Sequence, residues 1–168
     1  AAGQRWQWDA VDFEILHPAV SALDGGRRGN DRSCVMRVAT VAGAVLLTAD
    51  IERRAEAEIV ARWGGRLRAE ALLVPHHGSR TSSTPAFVAA VSPSVAIVSV
   101  GWRNRFRQPS AAVESRYREQ GAAILRTDIL GALRLTLPGH VADTVAVRPL
   151  VEDARYWSER GPARAGRG

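Results

Sequence analysis

Three short segments of this 168-residue chain hold the side chains best suited to metal or phosphate chemistry. They are Thr48-Ala49-Asp50-Ile51-Glu52, Pro75-His76-His77-Gly78-Ser79, and the run from Gly101 through Pro109 that contains Asn104 and Gln108. Each follows a stretch that reads as a strand, and in an open α/β sheet the loops after the strand C-terminal ends converge on one crevice. An aspartate and two histidines can meet there. Carboxylate oxygen and imidazole nitrogen are usual ligands of zinc or manganese, and a carboxylate can bridge two ions that activate a water between them. Gly78 would let the backbone approach such a metal, and Ser79 could orient one ring by hydrogen bonding.

Simpler roles stand beside these. Asp50, just before a predicted helix, is a good N-cap, and residue chemistry alone favours capping. Adjacent histidines in a polar loop are hard to explain by packing, so site membership is preferred for His76 and His77 over plain solvation. Glu52 reads as a first-turn residue complementing the helix dipole, with reach to a metal as a secondary role. His17, beside Pro18, ends a strand and is ambiguous, while His140, beside Gly139, reads as surface. Asn104 and Gln108 are ordinary loop residues unless the crevice forms.

The elements that must position these loops follow from periodicity. The opening AAGQRWQWDA shows no recognisable helix or strand start. Asp12 to Leu16 alternates apolar and acidic residues and ends at His17 and Pro18, a short strand running into a loop. Ala22 to Arg32, rich in glycine, is a loop. Ser33 to Thr40 and Ala44 to Thr48 form a hairpin through Val41, Ala42 and Gly43. Glu52 to Trp63 places Ala55, Ile59, Val60 and Trp63 at helical spacing and ends before Gly64 and Gly65. Ala71 to Val74, stopped by Pro75, is a strand buried on both faces. Helix Pro85 to Val91, strand Val95 to Val100, helix Ser110 to Gln120, and strands Ala123 to Arg126, Gly131 to Leu137 and Val145 to Arg148 complete the series. Strands alternating with helices, plus hairpins, predict an α/β domain on a mixed sheet over residues 1–149. Residues 150–168, arginines among glycine and proline, read as a basic disordered tail.

The net charge is +6, and all 23 basic residues are arginine. The absence of lysine reads as compositional bias, since solvated positions do not exclude it. Arginine forks suit phosphate, yet several arginines sit in the first loop and the tail, where solvation explains them, so charge alone does not decide for nucleic acid. With no run of about 18 apolar residues and no signal-like start, the chain is expected to be soluble. It begins without methionine, as expected of a piece of a longer polypeptide. Cys34, the single cysteine, lies in a predicted strand and is expected to pack in the core.

The ordered segments NDRSCVMRV, VLLTADIE, LLVPHHGSRTSS, SVAIVSVGWRNRF and GAAILRTDILGALRL resemble the C-terminal metallo-β-lactamase-like domain of ComEC-type DNA internalisation and competence proteins. The resemblance spans roughly residues 12 to 137 without large gaps. It implies an αββα sandwich of which this chain supplies the C-terminal half, with two divalent metal ions, zinc or manganese, in the complete domain. The implied activity is metal-dependent phosphodiester hydrolysis, with DNA as substrate. Asp50 matches the aspartate of the family's Thr-Gly-Asp segment, expected to bridge two metals. His77 is the expected direct ligand and His76 the catalytic, substrate-facing neighbour. Ser79, Asn104 and Gln108 fall at expected substrate-binding positions. The implied partners are DNA, an upstream membrane-channel portion of the same protein and other DNA-uptake components, with the parent protein in the bacterial inner membrane.

Three departures bear on activity. The superfamily's His-x-His-x-Asp-His signature is absent, so this chain is expected to carry about half a site, bind metal weakly and hydrolyse little. Ala49 stands where the family has glycine, which matters only if that backbone needs a positive φ. Arg107-Gln108-Pro109 replaces Gly-His-Pro, and glutamine is a poor metal ligand that cannot act as an acid near neutral pH. A non-catalytic DNA-binding or scaffold domain with a degenerate metal site, and another metallo-β-lactamase-fold hydrolase, are the alternatives.

Overall fold

Seven strands form one mixed sheet in chain order: β1 (Arg5–Trp8), β2 (Val11–His17), β3 (Val35–Thr40), β4 (Gly43–Leu47), β5 (Ala71–Leu73), β6 (Val95–Val98) and β7 (Ala123–Arg126). The computed structural model describes residues 1–20 and 29–150. Most of the predicted loop from Ala22 to Arg32, and the predicted tail beyond residue 150, lie outside the described residues.

Strands β1 to β4 pair antiparallel and β4 to β7 parallel. Connection length explains the change of direction. Two-residue turns reverse the chain between β1 and β2 and between β3 and β4, and in the first of them Asp9 and Ala10 take φ values of 48° and 60°, as a tight hairpin requires. Parallel neighbours need a crossover, supplied here by helices α1 (Arg53–Trp63), α2 (Pro85–Val91) and α3 (Ala111–Glu119). A one-turn helix, α4 (Thr127–Leu130), follows β7, and β8 (Leu133–Thr136) pairs antiparallel with β9 (Ala146–Pro149) in a separate small sheet. The Thr40 hydroxyl donates to the Pro138 carbonyl at 2.6 Å and ties the main sheet to that region.

Consecutive strands joined by crossovers of one hand place all their helices on one face of the sheet. The buried core agrees: alternate strand residues Ala44, Leu46, Leu72, Ala96 and Val98 join Ile59 of α1, Phe87 and Val88 of α2, and Val113 and Tyr117 of α3 in a single cluster. Val45, Ala71 and Ile97, offset by one in the pleat, are buried outside that cluster on the other face.

The α/β class and mixed sheet match the sequence expectation, with element ends shifted by one or two residues. Strand β1 is the exception. Its residues Arg5-Trp6-Gln7-Trp8 alternate polar and aromatic side chains, yet all four are exposed and the strand is held by cross-strand pairs rather than by burial. Trp6 stacks on its register partner Phe13 with ring centroids 5.1 Å apart, and Arg5 pairs with Glu14 at 2.7 Å. Cys34 also departs from expectation: β3 begins one residue later, and the thiol is exposed rather than packed in the core. His17 is buried, with Nδ1 2.8 Å from the Ser33 carbonyl.

Candidate active site at the parallel strand ends

The chain leaves β4, β5, β6 and β7 at one edge of the sheet, and main-chain and hydroxyl bonds sew these exits together. The buried Thr48 hydroxyl donates to the Leu73 carbonyl at 2.6 Å, and the His76 amide donates to the Ala49 carbonyl at 3.0 Å. Thr127 Oγ1, just after β7, accepts from the Val100 amide at 2.8 Å and donates to the Val100 carbonyl at 2.7 Å. The exits are thereby set in place before any side chain of the site is considered.

Asp50 and His77 face each other across this edge, with His77 Nε2 3.6 Å from Asp50 Oδ1 and both side chains nearly half exposed. His77 Nδ1 lies 2.6 Å from the Ser99 carbonyl, an acceptor only, so Nδ1 carries the hydrogen. On a neutral ring the lone pair is then on Nε2, beside the aspartate. Metal-ligating histidines are commonly fixed in this way by the nitrogen that does not bind. Asp50 does not cap α1. The N-cap position belongs to Glu52, two residues further on, so the capping role expected for Asp50 is not met and its carboxylate remains at the site.

His76 takes a different partner. Its Nδ1 sits 3.0 Å from Glu52 Oε1, close enough for an ion pair when the ring is protonated but not aligned as a hydrogen bond. Oε1 of Glu52 also accepts from Thr81 Oγ1 at 2.8 Å and from Asn30 Nδ2 at 3.3 Å. These donors, Thr81 foremost, hold the Glu52 carboxyl below its ordinary range against the opposing pull of burial. Glu52 is therefore a hub of the site rather than a helix-dipole residue. Asn30 and Thr81 were not given individual roles from sequence, although both lie in segments that carry the family resemblance, Asn30 opening NDRSCVMRV and Thr81 within LLVPHHGSRTSS.

Both histidines occupy the left-handed region, His76 at φ 47° and His77 at φ 56°. Non-glycine residues there cost roughly 1–2 kcal/mol each, and such strain concentrates at functional sites. Gly78, at φ +80°, has a packing reason to lack a side chain. A Cβ on it would meet Pro109 Cβ at 2.5 Å, so its bare backbone admits the following loop, and its carbonyl accepts from the Ser110 amide at 3.0 Å. Ser79 does not orient a histidine ring; its hydroxyl lies 3.0 Å from Thr81 Oγ1. Ala49 has φ 46°, the conformation that the family's glycine would adopt freely.

The third segment closes on itself. Asn104 Nδ2 donates to the Gln108 carbonyl at 2.6 Å, and its Oδ1 accepts from the Phe106 and Gln108 amides at 3.1 and 3.2 Å. Asn104 thus spends its amide on shaping the loop. An open cleft of about 390 Å³ lies between this loop and the histidine turn, lined by His77, Ser99, Asn104, Arg105, Phe106 and Gln108 among others. It gathers His77, Asn104 and Gln108; Asp50, His76 and Ser79 do not line it. Behind the turn, Glu56 of α1 is fully buried and accepts from the Ser83 and Thr84 amides, anchoring the segment after PHHGS, and burial pushes its carboxyl pKa up.

As metal donors, Asp50 and His77 have suitable chemistry, but a catalytic zinc takes about three protein ligands. Among the described residues no group of three or more His, Cys, Asp or Glu is placed to hold a metal ion. No helix among the described residues is long and apolar enough to cross a membrane.

No family model matches the chain. Competence protein ComA of Neisseria gonorrhoeae is 44% identical to it over 137 residues, 81% of this chain and 19% of that protein. Recombination protein 2 of Haemophilus influenzae is 36% identical over 134 residues, 80% of this chain and 16% of that protein. ComE operon protein 3 of Bacillus subtilis is 30% identical over 147 residues, 88% of this chain and 18% of that protein. The chain spans about a fifth or less of the length of these curated relatives. With most of the chain matched at 30–44% identity, this chain belongs to the ComEC family.

Proposed function

We propose that the chain is the C-terminal half of a metallo-β-lactamase-like αββα sandwich that hydrolyses DNA within a DNA-uptake protein. The observation that carries this reading is the His77 ring, held by the Ser99 carbonyl so that Nε2 lies beside Asp50 at the strand-end edge. A sheet with its crossover helices on one face is one half of such a sandwich. Asp50 and His77 contribute two donors to the metal site, and the remaining ligands come from elsewhere in the protein. The two donors here do not make a metal site, so no catalytic step is assigned through a metal. His76, paired with Glu52, is the proton-handling group. Ser79 and Gln108 lie along the substrate path, and Asn104 supports it by shaping the loop. The parent protein sits in the bacterial inner membrane with its channel upstream, and DNA and other uptake components are its partners.

A non-catalytic DNA-binding domain is the second reading, favoured by the shortage of ligands and by Gln108 in the cleft. The deciding experiment measures metal content and manganese-dependent cleavage of labelled DNA by this chain and by the whole protein. Cleavage by the whole protein alone is expected. Asp50→Ala and His77→Ala in the whole protein should each lower cleavage by at least about a hundredfold, the scale for disturbing a metal's ligand shell. Full activity in both variants refutes the site, and no metal and no cleavage in either protein establishes the non-catalytic reading.

A further inference from the structure

The segment Trp102-Arg103-Asn104-Arg105-Phe106-Arg107 has not been accounted for by the hydrolytic reading. Trp102 and Phe106 are 64% and 68% exposed, unusual for large rings on a loop that is itself anchored at Pro109 against the histidine turn. Each ring carries a guanidinium over its face, Arg105 at 4.9 Å from the Phe106 centroid and Arg103 at 6.0 Å from that of Trp102. Arg103, Arg105 and Arg107 are exposed, and the segment from 101 to 109 contains no carboxylate. Its partner is therefore anionic and offers flat faces. Phe106 and Arg105 also line the cleft that holds His77, so whatever stacks on this loop continues toward the strand ends.

We infer that this loop is a stacking platform for single-stranded DNA, Trp102 and Phe106 receiving bases and the three arginines the backbone phosphates. The choice of DNA rests on the function proposed above; the strand state comes from the loop itself. Bases in a duplex have their faces covered by neighbours, so exposed rings have nothing to stack on, whereas unpaired bases offer a π-face each. A membrane surface would also accept aromatic rings and arginines, but it gives no reason for a loop locked in one shape. Asn104 fixes that shape with three hydrogen bonds to the backbone between the rings and beyond. Presenting the rings already ordered removes part of the entropic cost of binding.

The test is fluorescence anisotropy of the full 168-residue chain with a labelled oligothymidine and with a mixed-sequence duplex of equal length, in EDTA so that hydrolysis plays no part. Trp102→Ala and Phe106→Ala should each weaken single-strand binding by roughly 5- to 150-fold, the range for removing one base–aromatic stack, while duplex binding changes less than about twofold. Trp102→Phe with Phe106→Tyr should keep single-strand affinity within about threefold, since both rings remain. Absence of single-strand binding, unchanged affinity in the alanine variants, equal losses on both DNAs, or failure of the aromatic replacements to retain binding overturns the inference. Tighter binding of anionic lipid vesicles than of DNA, lost in the same alanine variants, also overturns it. Cleavage by the whole protein is read separately, so a protein that cuts DNA but does not need these rings refutes only this inference, and one that needs them but never cuts refutes only the hydrolase.

Discussion

Replacing Gly78 by alanine tests how the histidine turn and the cleft loop are joined. The new Cβ would lie 2.5 Å from Pro109 Cβ and 3.0 Å from its Cα, and φ of +80° is unfavourable for any side chain. The loop cannot easily retreat, because the Ser110 amide is bonded to the Gly78 carbonyl at 3.0 Å. The left-handed backbone costs about 1–2 kcal/mol and the overpacking about 1–3 kcal/mol, giving about 2–5 kcal/mol in all. Reduced freedom of the unfolded chain returns about 0.4–1 kcal/mol. Even the low end is a large share of the roughly 5–15 kcal/mol that stabilises a domain. Urea unfolding followed by tryptophan fluorescence should show the loss as a lower midpoint at unchanged slope. Adding Pro109→Gly in a double-mutant cycle should recover the overpacking part and leave the backbone part. A Gly78→Ala protein within about 0.5 kcal/mol of the parent would show that the two segments are not in the contact described.

The opposite substitution one strand away has the opposite sign. Ala49→Gly relieves about 1–2 kcal/mol at φ 46° and loses about 0.5–1 kcal/mol to glycine's freedom when unfolded, so a net gain of up to about 1.5 kcal/mol is expected as a higher thermal midpoint. Since Ala49 is exposed, no packing offsets the gain, and a lower midpoint would contradict the strain argument. Glu52 supplies a pH prediction. Its folded pKa lies below the ordinary 4.5, so the native state binds fewer protons than the unfolded chain in that window. Its contribution is complete above pH 4.5 and is lost as pH falls through the lowered value. Glu52→Gln should flatten the acid side of the stability curve measured by urea midpoints, and an unchanged curve would mean that the carboxylate gains nothing from Thr81, Asn30 and His76.

Much of the architecture was legible because burial writes a period into the sequence. The runs Ala44 to Thr48, Ala71 to Val74 and Val95 to Val100 are apolar because parallel strands are covered on both faces, and α1 shows its inward face at Ala55 and Ile59. Strand β1 was missed although Arg5-Trp6-Gln7-Trp8 alternates polar and aromatic residues: all four are exposed, and its order comes from pairs such as Trp6 with Phe13, whose partner is known only once the hairpin exists. At the site, residue types pointed to His76 and His77 and the family resemblance to Asp50, but the part each plays depends on distances between loops far apart in sequence. Asn30 reaches Glu52 across 22 residues, and although it opens one of the segments that carry the resemblance, nothing local announces that partner. Asn104 reads as an ordinary loop residue from its type and as a substrate-binding position from the resemblance; in the structure its amide bonds its own loop. Ala49 was read correctly as a question about φ, and only coordinates supply the angle.

The atom that orients His77 is the main-chain oxygen of residue 99. Any amino acid at that position brings the same oxygen, so point mutation of Ser99 cannot delete the acceptor, and the ring's orientation is shielded from the commonest kind of genetic change. It can drift only if β6 itself is displaced, and β6 is paired on both sides and carries Val98 in the core. Variation in this protein can therefore accumulate in the side chains around the cleft while the direction in which His77 points is inherited with the sheet.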